Sequence, residues 1–180
     1  EWKATIAQEG DTYDEVINIT PQPQASVTIM DQKTGAIKAM VGGRGAKSSS
    51  LSLNRAYKGS KRQPGSTFKI LAAYAPAIDS CGKSLSTIVV DEPYKYKNGK
   101  NVKNTSRSYK GAVTYRTAIA NSINVCAVKV SDEISQELGF EYCEKFGIST
   151  LVKEKKTDAG VFSDINQTLA LGGVTDGVYN

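Results

Sequence analysis

Two short residue constellations in this chain have the types and spacing to perform acyl chemistry. Ser66-Thr67-Phe68-Lys69 sets a hydroxyl and an amine three positions apart, where a Gly/Ser/Lys-rich stretch gives way to an apolar run. On a helix, positions i and i+3 share a face, so the Lys69 amine can reach the Ser66 hydroxyl. Ser66 falls in the first turn, where free N–H groups and the positive end of the helix dipole favour a developing alkoxide. A lysine on a largely buried helix loses hydration of its charge, which lowers its pKa towards that of a useful base. The chain has no histidine. Ser-His-Asp and Cys-His sites are therefore excluded within it, and a nucleophile needs a different base.

The second constellation is Ser122-Ile123-Asn124, 56 positions after Ser66. A hydroxyl at Ser122 could relay a proton between the nucleophile, Lys69 and a leaving amine. The Asn124 amide offers both a donor and an acceptor to a peptide substrate. The plain alternative is that Ser122 caps a helical segment. Both patterns have decoys. Ser80-Cys81-Gly82-Lys83 repeats the first, but it contains a glycine and follows the apolar helix, as a C-terminal cap region does. Ser52-Leu53-Asn54 repeats the second, but it precedes Ser66. A pattern of this type arises by chance about once in a chain of this length.

The elements that must position these residues follow from periodicity and turn chemistry. Residues 1–24 are polar, end in Thr20-Pro21-Gln22-Pro23, and read as a linker. Residues 25–30 and 36–41 alternate as strands about the turn Asp31-Gln32-Lys33-Thr34-Gly35, giving a hairpin with a bulged turn. Residues 42–65 form a long loop closed by Pro64-Gly65, and a loop of that length is usually functional or mobile. A helix from Ser66 to about Ile78 has almost no polar face and should be buried, with Pro76 kinking or shortening it. A polar hairpin is predicted around Lys97-Asn98-Gly99-Lys100. Helix is predicted from Thr114 to about Glu133, broken near Asn121-Ser122. A short helix over 140–146 closes on Gly147, and a last one over 164–171 ends at Gly172-Gly173.

The 180 residues suffice for one domain with a real core. No run approaches the length of a transmembrane helix, and no signal segment opens the chain, so any anchor is expected upstream. The net charge of +5 comes without an aromatic-interleaved basic stripe or zinc-finger spacing. It reads as a solvated basic surface, compatible with anionic envelope polymers but not as a nucleic-acid interface. Cys81, Cys126 and Cys143 lack metal or redox spacing. Cys126 reads as a small buried hydrophobe. A Cys81–Cys143 disulfide is open, since sequence does not supply the geometry.

Asn54-Arg55-Ala56 followed by Arg62-Gln63-Pro64-Gly65-Ser66-Thr67-Phe68-Lys69 closely resembles the active-serine region of bifunctional, class A penicillin-binding proteins. The hairpin from Asp31 to Gly43 is similar to the first two strands of their transpeptidase domain. Asn104, Tyr109-Lys110-Gly111-Ala112-Val113-Thr114, Ala118-Ile119-Ala120-Asn121-Ser122-Ile123-Asn124 and Ala127-Val128-Lys129 resemble the second-motif region. Ala170-Leu171-Gly172-Gly173-Val174 resembles a stretch further along. Several long motifs in the right order, over residues 25–180, make the resemblance far more specific than either triplet. The family's third motif, K-T-G, follows S-x-N; here Lys33-Thr34-Gly35 precedes Ser66 and lies in the hairpin turn, so Lys33 is assigned a surface role.

The resemblance implies an α+β fold: a central antiparallel sheet flanked by helices, beside an all-helical lobe. Residues 25–180 would be the N-terminal part of that domain, with the fold incomplete in this chain. The implied activity is that of a D,D-transpeptidase cross-linking peptidoglycan stem peptides through a serine acyl-enzyme. Ser66 would be the nucleophile, Lys69 the base, Ser122 the proton relay and Asn124 the residue that orients the substrate amide. No metal or organic cofactor is implied. The implied partners are a D-Ala-D-Ala stem peptide, β-lactams, and the remainder of the domain as a second polypeptide. The implied location is the extracytoplasmic face of the bacterial cell membrane. Rival readings are a serine β-lactamase, which would need a segment to position a deacylating water that is not evident here, and a non-catalytic penicillin sensor.

Overall fold

A computed structural model describes residues 23–45, 53–57, 61–158 and 160–179. The predicted linker over 1–24 lies almost wholly outside the described residues. The chain opens with the expected hairpin, β1 (Val27–Met30) against β2 (Ile37–Val41), antiparallel, with a register shift between Ile29 and Met30. Its turn is built by Asp31. That carboxylate accepts from the Lys33 N–H at 3.0 Å and the Thr34 hydroxyl at 2.9 Å, while Gly35 takes φ +70°. Lys33-Thr34-Gly35 is therefore turn chemistry. Val27, Ile29, Met30, Ile37 and Val41 are each more than half exposed.

Within the described part of the long loop, β3 (Lys61–Arg62) pairs with residues near the end of the chain. A continuous helical stretch follows. It starts as a 3-10 turn (Gly65–Thr67), widens into a π-helical segment (Ile70–Tyr74) and ends as α1 (Ala75–Ser80). The register returns to α around Pro76, which has no N–H to give, so the expected kink is absorbed as a change of helical pitch. Next come β4 (Ile88–Asp91), β5 (Tyr94–Lys95), β6 (Asn101–Val102) and β7 (Gly111–Thr114). The β5–β6 pair is the predicted polar hairpin, and β4 pairs antiparallel with β7.

The Thr114 hydroxyl accepts from the Thr117 N–H and caps α2 (Tyr115–Ala120). The chain breaks at Asn121-Ser122, as its sequence predicts, before α3 (Asn124–Ile134). α4 (Gln136–Lys145) begins earlier than expected, because Ser135 caps it through its hydroxyl to the Leu138 N–H. Gly139 lies in that extra turn and packs against the π-helical segment, where a Cβ would stand 2.3 Å from the Ala72 carbonyl oxygen. Then come the ribbon β8 (Lys155–Thr157) and β9 (Gly160–Phe162), a 3-10 turn (Leu169–Leu171) and β10 (Val178–Tyr179), which pairs with β3.

The helix predicted over 164–171 is reduced to that last 3-10 turn. The side chains before it compete for the backbone. Asp164 accepts from the N–H groups of Val152 and Thr175, and Asn166 accepts from the Thr168 N–H, so those groups stabilise loop crossings instead of a helix. The core lies among the helices. Ala73, Tyr74, Ala77, Tyr115, Ala118, Cys126, Ala127 and Val130 pack as one cluster, and Phe68, Ala72, Phe140, Cys143 and Leu169 as another. All three cysteines are free, with Cys126 and Cys143 buried and Cys81 exposed, so no Cys81–Cys143 disulfide forms. Among the described residues, strands pair only two by two, and no helix is long and apolar enough to cross a membrane.

Candidate active site

Ser66 sits in the 3-10 turn that starts the helical stretch, preceded by Gly65 at φ +58°, and is exposed. Lys69 follows one turn later and is only 3% exposed. Its amine is enclosed by the S-x-N segment: Nζ donates to the Ser122 carbonyl at 2.5 Å, to Ser122 Oγ at 2.9 Å and to Asn124 Oδ1 at 2.6 Å. The helix start and the α2–α3 break, more than fifty residues apart in sequence, are thus joined through one cation. Burial lowers the Lys69 pKa to about 8, with the neighbouring Cys126 acting in the opposite direction. Removal of hydration penalises the ammonium more than the neutral amine.

The expected Ser66–Lys69 hydrogen bond is not formed. An ammonium has three donors, and here all three are spent on the Ser122–Asn124 segment. Among the described residues Ser66 Oγ has no hydrogen-bond partner. Once Lys69 loses one proton it keeps two donors and gains a lone pair, and it then has an acceptor to offer a hydroxyl one turn away. The i, i+3 spacing puts the two residues one turn apart, while the amine is held by the Ser122–Asn124 segment.

Ser122 has φ +50°, an unfavourable conformation for a residue with a Cβ. It does not cap α3 with its side chain, because that hydroxyl faces Lys69. The cap is supplied from elsewhere. Asn104 Oδ1 accepts from the N–H groups of both Asn124 and Val125 at 3.1 Å, and its Nδ2 donates to Asp91 Oδ1 at 2.7 Å and the Ser108 carbonyl at 3.1 Å. Asp91 in turn accepts from the Lys110 N–H. Asn124 Nδ2 donates to the Lys103 carbonyl at 2.8 Å. Asn104 and Asp91, both buried, therefore fix the strained Ser122-Ile123-Asn124 turn. Sequence reasoning placed Asn104 in the second-motif region without a role and did not single out Asp91. A charged residue closing an otherwise apolar strand, as Asp91 does in β4, was the available signal.

The Ser66 turn is held from the far end of the chain. The Gln63 side-chain amide pairs with the Val174 peptide in both directions, Nε2 donating to its carbonyl at 2.6 Å and Oε1 accepting from its N–H at 3.0 Å. Gly172, at φ +75°, lies against Gly65 so closely that a Cβ would stand 2.2 Å from the Gly65 carbonyl oxygen. The Ala-Leu-Gly-Gly-Val stretch therefore buttresses the residue before Ser66. The decoys have structural roles. Ser80 shares hydrogen bonds with Tyr142, which also bonds Asp79, and Lys83 pairs with Glu133. Asn54 accepts from the Ala56 N–H, and Ser52 lies outside the described residues. Among the described residues no cluster of metal-ligating side chains occurs.

Residues 25–173 match the family described as the penicillin binding protein transpeptidase domain. The chain is 42% identical over 135 residues to penicillin-binding protein 1A of Clostridium tetani, covering 71% of this chain and 17% of that protein. It is 41% identical over 152 residues to penicillin-binding protein 1A of Clostridium acetobutylicum, covering 79% of this chain and 18% of that one. Its fold superposes on the crystal structure of penicillin-binding protein 1A from Haemophilus influenzae with a TM-score of 0.67 and 28% identity, over 84% of this chain and 21% of that one. The chain thus spans less than a fifth of the length of these curated relatives. By its motifs, their order and its fold, this chain belongs to the penicillin binding protein transpeptidase domain family, and within it is similar to the class A proteins named above.

Proposed function

We propose that this chain carries the nucleophile half of a D,D-transpeptidase that cross-links peptidoglycan stem peptides and is acylated by β-lactams. The observation that carries this reading is the Lys69 amine. It is buried, its pKa is lowered to about 8, and it bridges the Ser66 turn to Ser122 and Asn124. In the neutral form Lys69 accepts the Ser66 proton as Oγ bonds to the carbonyl carbon of the penultimate D-Ala. The tetrahedral adduct collapses by breaking the C–N bond to the terminal D-Ala. That amine takes up a proton relayed from Lys69 through Ser122 Oγ, leaving a Ser66 ester. A side-chain amine of a neighbouring stem then attacks the ester carbonyl. It gives up its proton along the same path, and Ser66 regains its hydroxyl. Asn124 Nδ2, now on the Lys103 carbonyl, is the donor on hand for a substrate carbonyl.

The paired face of the β1–β2 hairpin carries apolar side chains open to solvent. An unpaired sheet edge with such a face is a site for further strands. Those strands belong to the rest of the domain as a separate polypeptide segment, which would complete the central sheet and supply an oxyanion donor. The site works at the extracytoplasmic face of the bacterial membrane, where stem peptides are cross-linked.

Intact-mass measurement of the full-length protein with a labelled penicillin tests the assignment. The adduct should map to Ser66, vanish in Ser66→Ala and persist in Ser80→Ala. The reverse pattern, or no adduct on the wild type, would overturn it.

A further inference from the structure

Beside the S-x-N turn lies an open cleft of about 640 Å³ lined by Lys103, Asn104, Thr105, Arg107 and Tyr109. Its wall is rigid. The Asn104 side chain makes four hydrogen bonds on the protein side, to Asp91, Ser108, Asn124 and Val125, and the Arg107 N–H returns to the Asn104 carbonyl at 3.1 Å. The side facing solvent is cationic. Among the described residues neither Lys103 nor Arg107 has a carboxylate or any other side-chain partner. Arg107 is held at φ +58°. A residue with a side chain is disfavoured there by about 1 kcal/mol or more, so the turn keeps an arginine in the cleft lining against a backbone preference. The cleft is tied directly to the site, since the Lys103 carbonyl accepts from Asn124 Nδ2.

An arginine fork and an ammonium without counter-charges, beside the asparagine that would meet the substrate backbone, fit a carboxylate. We propose that this cleft is an anion subsite that holds a side-chain or branch carboxylate of the donor stem peptide, upstream of the scissile bond. The inference rests on the transpeptidase reading and adds to it which substrates are preferred. It places the carboxylate on the Asn124 side of the nucleophile, separate from the carboxylate at the end of the peptide. A simple penicillin carries no upstream carboxylate for the cleft to hold.

The test uses the full-length protein and two synthetic pentapeptides ending in D-Ala-D-Ala, one with a free upstream carboxylate and one with that group amidated. The wild type should show a KM for the free acid roughly fivefold to tenfold lower than for the amide, the scale of two exposed charged contacts, one from Arg107 and one from Lys103. Arg107→Gly, which suits the left-handed backbone, and Lys103→Gln should each reduce that preference by about threefold or more, with kcat little changed. Penicillin acylation of both variants should match wild type, which also reports that they fold. If the wild type handles both peptides equally, or its preference survives in both variants, the subsite is refuted. If instead penicillin leaves Ser66 of the wild type unmodified, the transpeptidase reading itself fails, and the cleft is left as a general polyanion site that heparin should occupy.

Discussion

The pH dependence of acylation follows directly from the burial of Lys69. With a pKa of about 8, about a tenth of the amine is neutral at pH 7 and about nine tenths at pH 9, by the titration relation. If the neutral amine takes the Ser66 proton, the second-order rate constant for penicillin acylation should rise about tenfold between those values and level off above pH 9. An exposed lysine near its ordinary pKa of about 10.4 would give a different curve: roughly a hundredfold rise over the same interval, with no plateau below about pH 10. Quenched-flow labelling with a fluorescent penicillin, corrected for alkaline hydrolysis of the drug, distinguishes the two. A flat profile from pH 7 to 9 would refute the proposal that Lys69 is the base. A profile still climbing at pH 10 would refute its burial. Lys69→Arg, which has no neutral form in this range, should lower the rate at every pH and abolish the slope.

The same burial has a signature in stability. A lysine with a depressed native pKa binds fewer protons folded than unfolded between about pH 8 and 10.4, so its contribution to stability rises with pH across that window. The penalty is fully present below pH 8 and amounts to at most about 3 kcal/mol. The difference in unfolding free energy between wild type and Lys69→Met should therefore move in favour of wild type as pH is raised from 8 to 10. Chemical denaturation at both values measures it, and a constant difference would contradict the shift.

Asn104→Ala should lower unfolding free energy by about 2–4 kcal/mol, because it strands Asp91 and two helix-start N–H groups; it should also slow acylation by releasing the Ser122 turn, which urea titration and penicillin labelling would show together. Gly172→Ala places a Cβ against the Gly65 carbonyl oxygen at a left-handed φ, so it should cost about 2 kcal/mol or more and reduce acylation, whereas Gly147→Ala, with open space around it, should leave the acylation rate unchanged. Tyr74→Phe should be neutral or stabilising by about 1 kcal/mol in thermal unfolding, since the Tyr74 hydroxyl is buried without a partner among the described residues and its pKa is pushed up by that burial. Ile29→Lys in β1 changes a residue exposed here, yet in the full-length protein it should depress the melting temperature by several degrees if the hairpin joins a larger sheet; an unchanged temperature would count against that sheet.

What could be read from the sequence was what is local, and what escaped it was contact between distant segments. The β1–β2 hairpin, its Asp31–Gly35 turn, the β5–β6 hairpin and the break at Ser122 each follow from a few adjacent residues, and each is present. The helix expected over 164–171 failed because its Asp and Asn side chains find partners at Val152, Thr175 and Thr168, and propensity cannot weigh competitors that lie off the segment. The site divides in the same way. Ser66, Lys69, Ser122 and Asn124 were identifiable from spacing and family resemblance, and the structure joins the last three through one amine. Local spacing predicted the wrong partner for that amine, however, because i, i+3 geometry says two groups can meet without saying which competitor wins. Here the three acceptors on the S-x-N turn, not the Ser66 hydroxyl, hold the Lys69 amine. Asn104 and Asp91 decide this outcome by fixing where those acceptors stand. The helix carries Ser66 and Lys69, but the turn that meets the Lys69 amine is held by a buried amide and a buried carboxylate that neither motif contains.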